Sequence, residues 1–341
     1  MKDFGGKLAV ITGGGTGMGR ALARQLVAEG CDVATCDVLD DNLAETRALC
    51  EQEAPQGRVI TTHHCDVSDE AEGERFRDAV VSDHGTDHID LLFNNAGVGG
   101  GASIVEGDRE DWERTFNICW YGVYYNTRAF MPLLVASQDA HLINTSSVNG
   151  FWATLGPQSS HTAYSAAKFA VKGFSEALIT DLANNAPHVK VSVVMPGHIG
   201  TSIAINSGRI LNGRQAEELS DDDIVAMRKR WASLGMVNED TTDEQIRVLV
   251  GEMGRRFRDD APTTAEQAAS IILDGVREER WRILVGNDAH RLDELVREDP
   301  EGAYTPEFMV RLRETGEWGL GEASNRETRR RVGTIERHCH P

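Results

Sequence analysis

Two side chains that could exchange a proton with a substrate stand four residues apart in the sequence, Tyr164 and Lys168. Residues i and i+4 lie on the same face of a helix, so a helix here would make these side chains neighbours. An ammonium group beside a phenol favours the phenolate and lowers the pKa of the phenol. The pair therefore suits proton transfer to or from an alcohol oxygen near neutral pH. A motif this short is weak evidence alone, because most such pairs are a tyrosine and a solvated lysine on a helix surface.

The composition limits the classes of protein to which the chain can belong. Its 341 residues, 40% of them hydrophobic, are enough for one large α/β domain or two smaller ones. The 54 acidic and 35 basic residues give a formal net charge of -19, which argues against a nucleic acid or an anionic membrane as partner. We expect no membrane segment, because no apolar run approaches the roughly 18 residues that cross a bilayer. Strand-like sequence begins at Lys7, so we expect no signal peptide.

The six cysteines are scattered and include no Cys-x-x-Cys pair. Several lie in apolar, strand-like runs, as reduced core residues of a cytoplasmic protein do. The terminal tract His338-Cys339-His340 has side chains that bind metals, but three terminal residues do not make a closed four-ligand site. We therefore predict no metal in this protein.

A glycine-rich turn follows the first predicted strand, Lys7 to Thr12, and precedes a helix predicted from Arg20 to Glu29. Glycines let the backbone turn tightly, and they let a pyrophosphate approach the N–H groups at the start of a helix. The strict G-x-G-x-x-G spacing is not met; the pattern is Thr12-Gly13-x-x-x-Gly17-x-Gly19. No Gly-Lys-Ser/Thr follows, so a P-loop is excluded. The context favours a dinucleotide site, with a glycine turn that binds no ligand as the alternative.

An acidic residue, Asp37, ends the second predicted strand, Asp32 to Asp37. In a dinucleotide fold such a carboxylate hydrogen-bonds the ribose hydroxyls of the adenosine and repels the 2′-phosphate of NADP. Residues 38–41 supply no cation that would hold this phosphate. The sequence therefore favours NAD over NADP. Asp37 could instead cap the following helix, or it could do both.

The rest of the chain continues this alternation of strands and helices. Further strands are predicted at Arg58 to His64, Ile89 to Phe93, His141 to Ser147, Val189 to Met195 and Arg282 to Val285. Helices are predicted at Asn42 to Glu53, Glu70 to His84, Asp108 to Ala136, Thr162 to Asn185 and Thr263 to Glu278. The alternation predicts one doubly wound parallel α/β sheet of about seven strands, with ligands at the carboxyl ends of the strands.

The motifs, taken together and in this order, resemble those of the short-chain dehydrogenase/reductase family. They are the glycine turn, Asn94-Asn95-Ala96-Gly97, the strand-terminal Ser147, Tyr-x-x-x-Lys and Pro196-Gly197. The resemblance implies a single Rossmann-type domain over residues 1–290 with a helical lid at about 202–262, longer than is usual in the family. Residues 291–341 extend past the usual end, and we expect them to be partly helical or disordered.

The resemblance also implies roles for particular residues. Tyr164 would be the general acid/base, Lys168 would support it, Ser147 would donate to the substrate oxygen, and Asn117 would hold a water that links Lys168 to solvent. The residues implied to bind the cofactor are Gly13, Gly15, Thr16, Gly17, Met18, Gly19, Asp37, Asp66, Val67, Asn94, Ala96, Gly97, Tyr164, Lys168, Pro196, Gly197, Ile199 and Thr201. Among these, Asp66 matches the residue that holds the adenine amino group, and Thr201 matches one that contacts the nicotinamide amide.

The function expected from this resemblance is hydride transfer between NAD and a hydrophobic secondary alcohol or ketone. The expected substrate wall is apolar: Phe151, Trp152, Leu155, Ile203 and Ile205. Three alternatives stay open, which are an NADP-dependent carbonyl reductase, an epimerase or dehydratase on the same fold, and a non-catalytic nucleotide sensor.

The resemblance also implies that the protein assembles as a homotetramer, with a homodimer as the second expectation. Two short helices are predicted in the extension, around Leu292 to Val296 and Phe308 to Leu312, and we expect them to cover a neighbouring subunit. Disorder after Asn325, where arginines cluster, stays open beside an ordered extension.

Overall fold

The computed structural model of the chain describes residues 1–101, 103–156, 160–213, 218–233 and 236–318. The arginine cluster and the terminal His338-Cys339-His340 lie outside these ranges, so the predictions made for them stay predictions.

A sheet of seven parallel strands carries the structure. The strands of the chain are β1 (Leu8–Thr12), β2 (Asp32–Asp37), β3 (Ile60–His64), β4 (Leu91–Asn94), β5 (Ala140–Thr145), β6 (Val189–Pro196), β7 (Ile199–Gly200), β8 (Thr263–Thr264) and β9 (Arg282–Val285). The order in the main sheet is β3-β2-β1-β4-β5-β6-β9, and β7 and β8 form a separate parallel pair. The predicted doubly wound Rossmann-type sheet is therefore confirmed. Because the strand order reverses between β1 and β4, a crevice opens at the carboxyl ends of these two strands.

Helices cover both faces of the sheet, because its strands are apolar on both sides. The helices are α1 (Gly17–Ala28), α2 (Asp40–Glu53), α3 (Glu70–His84), α4 (Arg109–Phe116), α5 (Gly122–Ala136), α6 (Thr162–Asn185), α7 (Ile203–Asn212), α8 (Asp221–Ser233), α9 (Asp243–Asp259), α10 (Ala265–Arg277), α11 (Asn287–Glu298) and α12 (Pro306–Glu314). One core lies between the sheet and α1, α2 and α10. The other lies between the sheet and α3, α5 and α6.

The long helix predicted from Asp108 to Ala136 is interrupted. Between α4 and α5 the residues Asn117–Tyr121 form a π-helical turn, in which the Gly122 N–H donates to the Asn117 carbonyl. The prediction of one continuous helix from the apolar periodicity missed this turn. Turns of this kind are frequent at functional sites, and this one begins at a residue that the resemblance assigns to catalysis.

The region predicted as a lid is helical and has a small core of its own. Helices α7, α8 and α9 occupy it, and Ile224, Trp231, Met236, Val237 and Ile246 are buried among them. Thr242 begins α9 with a capping box, because its hydroxyl accepts from the Gln245 N–H while the Gln245 side chain accepts from the Thr242 N–H. The many charges of this region lie outside that core.

The extension folds back onto its own chain. Its helices α11 and α12 exist as predicted, and Leu292, Leu295, Phe308 and Leu312 are buried with Val148 and Trp152 of the same chain. The expectation that these helices also cover a neighbouring subunit stays a prediction. Trp152 is 0% exposed, and its indole N–H donates to the Ala303 carbonyl at 2.8 Å. Trp152 is therefore a core residue and not part of a substrate wall.

No helix in the described part of the chain is long and apolar enough to cross a membrane. Within the same residues there is no cluster of three or more histidine, cysteine, aspartate or glutamate side chains that could hold a metal ion.

Candidate active site

A cleft of about 830 Å³, its open mouth included, lies at the carboxyl ends of the strands where the sheet order reverses. Residues implied by the resemblance to bind the cofactor line it, namely Gly13, Thr16, Gly17, Met18, Asp37, Asp66, Val67, Ala96, Gly97 and Thr201. Its other lining residues are Val38, Leu39, Cys65, Asn95, Val98, Arg114, Ile118, Ile203, Asn206, Ser207 and Ile210. The turns after β1, β2, β3 and β4 and the helix α7 thus meet around one space.

The glycine turn after β1 leaves room only for hydrogen at each of its five glycines, and two of these, Gly13 and Gly17, also have a positive φ. Gly13 has φ +69°, and a Cβ atom there would lie 2.7 Å from the Cα of Ala96. Gly17 has φ +53°, and its Cβ would lie 2.9 Å from the Cβ of Thr201. Thr16 is the N-cap of α1 and makes no side-chain cap hydrogen bond, so the first N–H groups of this helix are not satisfied by its cap. This cradle fits a pyrophosphate, because a helix N-terminus attracts an anion.

Hydrogen bonds from the turn after β4 to Thr12 and Gly13 hold the glycine turn in place. The Thr12 hydroxyl accepts from the N–H groups of Asn95 and Ala96 at 3.0 and 3.1 Å. The Asn95 side-chain amide donates to the Thr12 and Gly13 carbonyls at 3.1 and 3.3 Å. The two strands on either side of the crevice are thereby tied together at its floor.

Asp37 lies at the end of β2 and lines the cleft. Its carboxylate accepts from the backbone N–H groups of Val38, Leu39 and Gly15 at 2.8, 3.1 and 3.0 Å. Burial raises the pKa of Asp37, and these three hydrogen bonds oppose the rise. Leu39 is the N-cap of α2 and has no side-chain cap hydrogen bond, so Asp37 organises the turn before α2 without being its cap residue.

Asp66 lies after β3 and is held by two residues from different elements. One oxygen accepts from the Ser68 N–H and hydroxyl at 3.0 and 2.7 Å, and the other accepts from the Arg114 guanidinium at 2.5 Å. Burial acts to raise the pKa of Asp66, but the hydrogen bonds from Ser68 and Arg114 outweigh it, and the pKa is lowered. Asp66 is therefore an ionised carboxylate at neutral pH.

Helix α6 places Tyr164 and Lys168 together, as the i and i+4 spacing predicts. The Lys168 Nζ lies 5.4 Å from the centre of the Tyr164 ring and donates to the Thr145 carbonyl at 2.9 Å. A hydrogen bond joins Tyr164 to Ser147, which lies between the end of β5 and the 3₁₀ turn that begins at Val148. A Cβ atom on Gly97, which lines the cleft, would lie 3.6 Å from Lys168 Nζ. Lys168 thus adjoins the cleft, Tyr164 lies beside Lys168, and Ser147 is bonded to Tyr164.

The pKa of Tyr164 differs from the sequence expectation. Burial raises it, the neighbouring Cys119 thiol adds to the rise, and the hydrogen bond with Ser147 lowers it in part. Burial also lowers the pKa of Lys168. The expected lowering of the Tyr164 pKa by Lys168 is thus not what the free protein shows, because desolvation disfavours the charged form of both groups.

Ser147 and Asn117 lie at irregular points of the backbone. Ser147 begins a short 3₁₀ turn, Val148–Gly150, and its hydroxyl accepts from the Asn149 N–H at 3.1 Å. Asn117 is partly exposed and opens the π-helical turn. Cys119, two residues on, donates its thiol to the Val98 carbonyl at 3.3 Å and is buried.

Several residues of the predicted cofactor set do not line this cleft, and their part in binding a cofactor stays a prediction. The Asn94 side chain is buried in the sheet, where it donates to Thr127 and Asn144 at 2.9 Å each, so it does not reach the cleft. The neighbouring Asn95 lines the cleft in its place. Gly15, Gly19, Pro196, Gly197 and Ile199 do not line it either; Ile199 packs into the core beside α10, and a Cβ on Gly197 would lie 2.3 Å from the Asp288 carboxylate.

The lid helix α7 forms one wall of the cleft through Ile203, Asn206, Ser207 and Ile210. The Ser207 hydroxyl accepts from the Gly99 N–H at 2.8 Å and donates to the Ile203 carbonyl at 2.6 Å. Sequence reasoning predicted a lid here and named Ile203 for the substrate wall, but it missed this docking and the cleft residues Arg114 and Ile118. The only available signal for Arg114 was its place one turn before Asn117 on the same predicted helix.

Comparison with known proteins agrees with this geometry. A sequence profile of the short chain dehydrogenase family matches residues 7–210. The putative oxidoreductase SadH of Mycobacterium tuberculosis is 33% identical over 297 residues, which are 87% of this chain and 92% of that protein. Levodione reductase of Leifsonia aquatica is 32% identical over 219 residues, which are 63% of this chain and 79% of that protein.

A solved structure is similar over most of the chain. It is a short chain dehydrogenase/reductase from Burkholderia phymatum in complex with NAD, with a TM-score of 0.70 and 29% identity, covering 90% of this chain and 98% of that one. Similar structures are known with NAD and with NADP. The chain therefore belongs to the short chain dehydrogenase family, and it is an oxidoreductase of that family.

Proposed function

We propose that this protein is an NAD-dependent dehydrogenase of hydrophobic secondary alcohols, or a reductase of the corresponding ketones, with Tyr164 as general acid/base. The observation that supports this most directly is the hydrogen bond between Ser147 and Tyr164 beside Lys168, next to a cleft built for a dinucleotide. The bound nicotinamide would supply or accept the hydride, and the protein would position the substrate and move the proton.

In this proposal each side chain has a distinct task. The Tyr164 phenol gives a proton to the ketone oxygen, or its phenolate takes one from the alcohol. The Ser147 hydroxyl donates a hydrogen bond to the same oxygen and stabilises the negative charge that develops there. Lys168 donates to the Thr145 carbonyl. When Lys168 carries its positive charge, it favours the phenolate form of Tyr164. Asn117 would keep a water within reach of Lys168.

The preference for NAD is supported by Asp37 and by the charges around it. Asp37 lines the cleft next to Val38 and Leu39, which are apolar. Among the described residues that line the cleft, Arg114 is the only lysine or arginine, and its guanidinium is paired with Asp66. A 2′-phosphate beside Asp37 would meet a like charge with no free cation to offset it.

The cofactor preference is tested by replacing Asp37 with asparagine. We expect the wild type to bind NADH more tightly than NADPH, and Asp37→Asn to shift this ratio toward NADPH on the order of tenfold, because one repulsive charge is removed. The measurement is titration of nicotinamide fluorescence with both dinucleotides. Asp40→Asn, a nearby exposed acid, is the control. An unchanged ratio in Asp37→Asn would contradict the assignment.

The pH dependence of the two reaction directions is a second test. Burial raises the pKa of Tyr164, so the phenol is neutral at neutral pH. Alcohol oxidation needs the phenolate, and its kcat/KM should rise as the pH rises toward that pKa. Ketone reduction needs the phenol, so its kcat/KM should fall over the same range. Profiles that change in the same direction would exclude one acid/base group that serves both reactions.

The substrate class rests on apolar side chains near the site and on one relative. Ile203 and Ile210 line the cleft from α7, and the relative from Leifsonia aquatica is named for the reduction of levodione. A spectrophotometric panel of hydrophobic secondary alcohols with NAD, and of levodione with NADH, tests the proposal. Turnover only of polar sugars or sugar phosphates would contradict it.

A further inference from the structure

A small polar network lies at one end of the cleft and joins three elements of the fold. It consists of Asp66 after β3, Ser68 before α3, and Arg114 in the last turn of α4. Arg114 donates through Nη2 to Asp66 and through Nη1 to the Ser68 hydroxyl at 2.7 Å. The Ser68 hydroxyl in turn donates to Asp66 at 2.7 Å. The three side chains therefore form a closed ring of hydrogen bonds.

The acceptor positions of Asp66 can be counted. An ionised carboxylate accepts about four hydrogen bonds, two at each oxygen. Oδ1 receives two, from the N–H and the hydroxyl of Ser68. Oδ2 receives one, from Arg114. Among the described residues none donates to the second acceptor position of Oδ2, and Asp66 lines the cleft.

The Arg114 guanidinium fixes the direction of the free acceptor position on Asp66. Its planar guanidinium uses two nitrogens to hold Asp66 and Ser68 at once, which fixes the plane of the carboxylate. The side chain is 36% exposed and itself lines the cleft. Without this guanidinium the carboxylate could rotate, and both acceptor positions of Oδ2 would be open to water.

We propose that Arg114 is a positioning residue for purine recognition: it orients Asp66 so that its last acceptor position selects a base with an amino group over one with a carbonyl group. The inference rests on the proposed function, since it requires a dinucleotide in the cleft. A 6-amino purine donates an N–H to the free position. A 6-oxo purine presents an acceptor to a carboxylate, which leaves both unpaired and costs binding.

The test compares two reduced dinucleotides that differ in the purine. NADH and reduced nicotinamide hypoxanthine dinucleotide are titrated against the full chain, with nicotinamide fluorescence as the readout. The wild type should bind NADH at least roughly tenfold more tightly, as a site built for one hydrogen-bond donor does. Arg114→Met should bring the two affinities to within about threefold of each other, mainly by weakening NADH, since the loss of one orienting contact is of this order.

Two further variants and a matched control make the result specific. Arg114→Lys keeps the charge without the planar fork, and it should give an intermediate ratio. Ser68→Ala removes another member of the ring and should lower the ratio too. Arg109→Met, on the same helix and 89% exposed, should leave the ratio at the wild-type value.

Three outcomes would overturn the inference. In the first, the wild type does not discriminate between the dinucleotides. In the second, Arg114→Met and Ser68→Ala keep the wild-type ratio, even if both affinities fall together. In the third, the wild type binds neither dinucleotide. This outcome rejects the proposed function as well, whereas the first two reject only the role of Arg114.

Discussion

Replacing Tyr164 with phenylalanine is expected to abolish turnover while NADH still binds. The phenylalanine ring keeps the shape of the side chain, which lies 4.7 Å from the His161 ring between ring centres. It removes the hydroxyl that Ser147 contacts and with it the only proposed proton donor. The loss of a general acid/base reduces a rate roughly a hundredfold to ten-thousandfold. The measurement is steady-state turnover with the best substrate of the panel, together with an NADH titration.

The control for this variant is Tyr125→Phe, which removes a phenol hydroxyl on α5 from a side chain that stacks against Tyr121 and does not line the cleft. Its turnover should equal that of the wild type. Near-normal turnover in Tyr164→Phe would exclude Tyr164 as the acid/base. Loss of NADH binding in that variant would instead assign Tyr164 to the binding of the cofactor.

Replacing Trp152 with alanine is expected to cause the largest loss of stability. Trp152 packs against Phe308 and Trp318, with ring centres 5.8 and 5.4 Å apart, and its N–H is bonded to the Ala303 carbonyl. A buried tryptophan truncated to alanine lowers the free energy of unfolding by about 3–5 kcal/mol. Because Trp152 follows Ser147 closely in the chain, turnover should fall as well. Urea unfolding followed by circular dichroism measures the first effect.

Trp281→Ala is the matched control, since this tryptophan is 45% exposed and lies before β9. It should change the free energy of unfolding by less than about 1 kcal/mol, as most surface substitutions do. Equal losses in the two variants would mean that the extension does not form a core with Trp152. Trp152→Phe, which keeps the ring but not the N–H, should lie between the wild type and Trp152→Ala.

The sequence by itself determined the sheet, and it predicted a glycine-lined cradle at the crevice of that sheet. Apolar runs of strand length alternate with helical periods, and this alternation is local information that survives in any context. The strand Asp32–Asp37 and the helices Glu70–His84 and Thr162–Asn185 were predicted with the bounds that the structure has. The glycine pattern also predicted a cradle where Gly13 and Gly17 have positive φ.

Only the tertiary structure decided which polar side chains face the cleft. Asn94 and Asn95 are equivalent in sequence, but successive side chains at the end of a strand point to opposite sides, and the sheet buries the first. Arg114 reaches Asp66 across 48 positions of the chain, and no local pattern encodes that contact. The interactions of the site residues with a cofactor stay predictions, although their positions relative to one another are defined.

The pKa of Tyr164 and the burial of Trp152 are two further properties that the sequence argument could not predict. The Tyr-x-x-x-Lys spacing correctly placed a cation next to a phenol, and the sequence argument counted the attraction between them. It could not count the desolvation of both groups, because desolvation depends on every element packed around them. Likewise, an aromatic residue in a loop near Ser147 suggests a substrate wall until α11 and α12 fold over it. Spacing along the chain determines which side chains are neighbours within an element, whereas burial is decided by elements that are distant in the sequence and meet only in the folded protein.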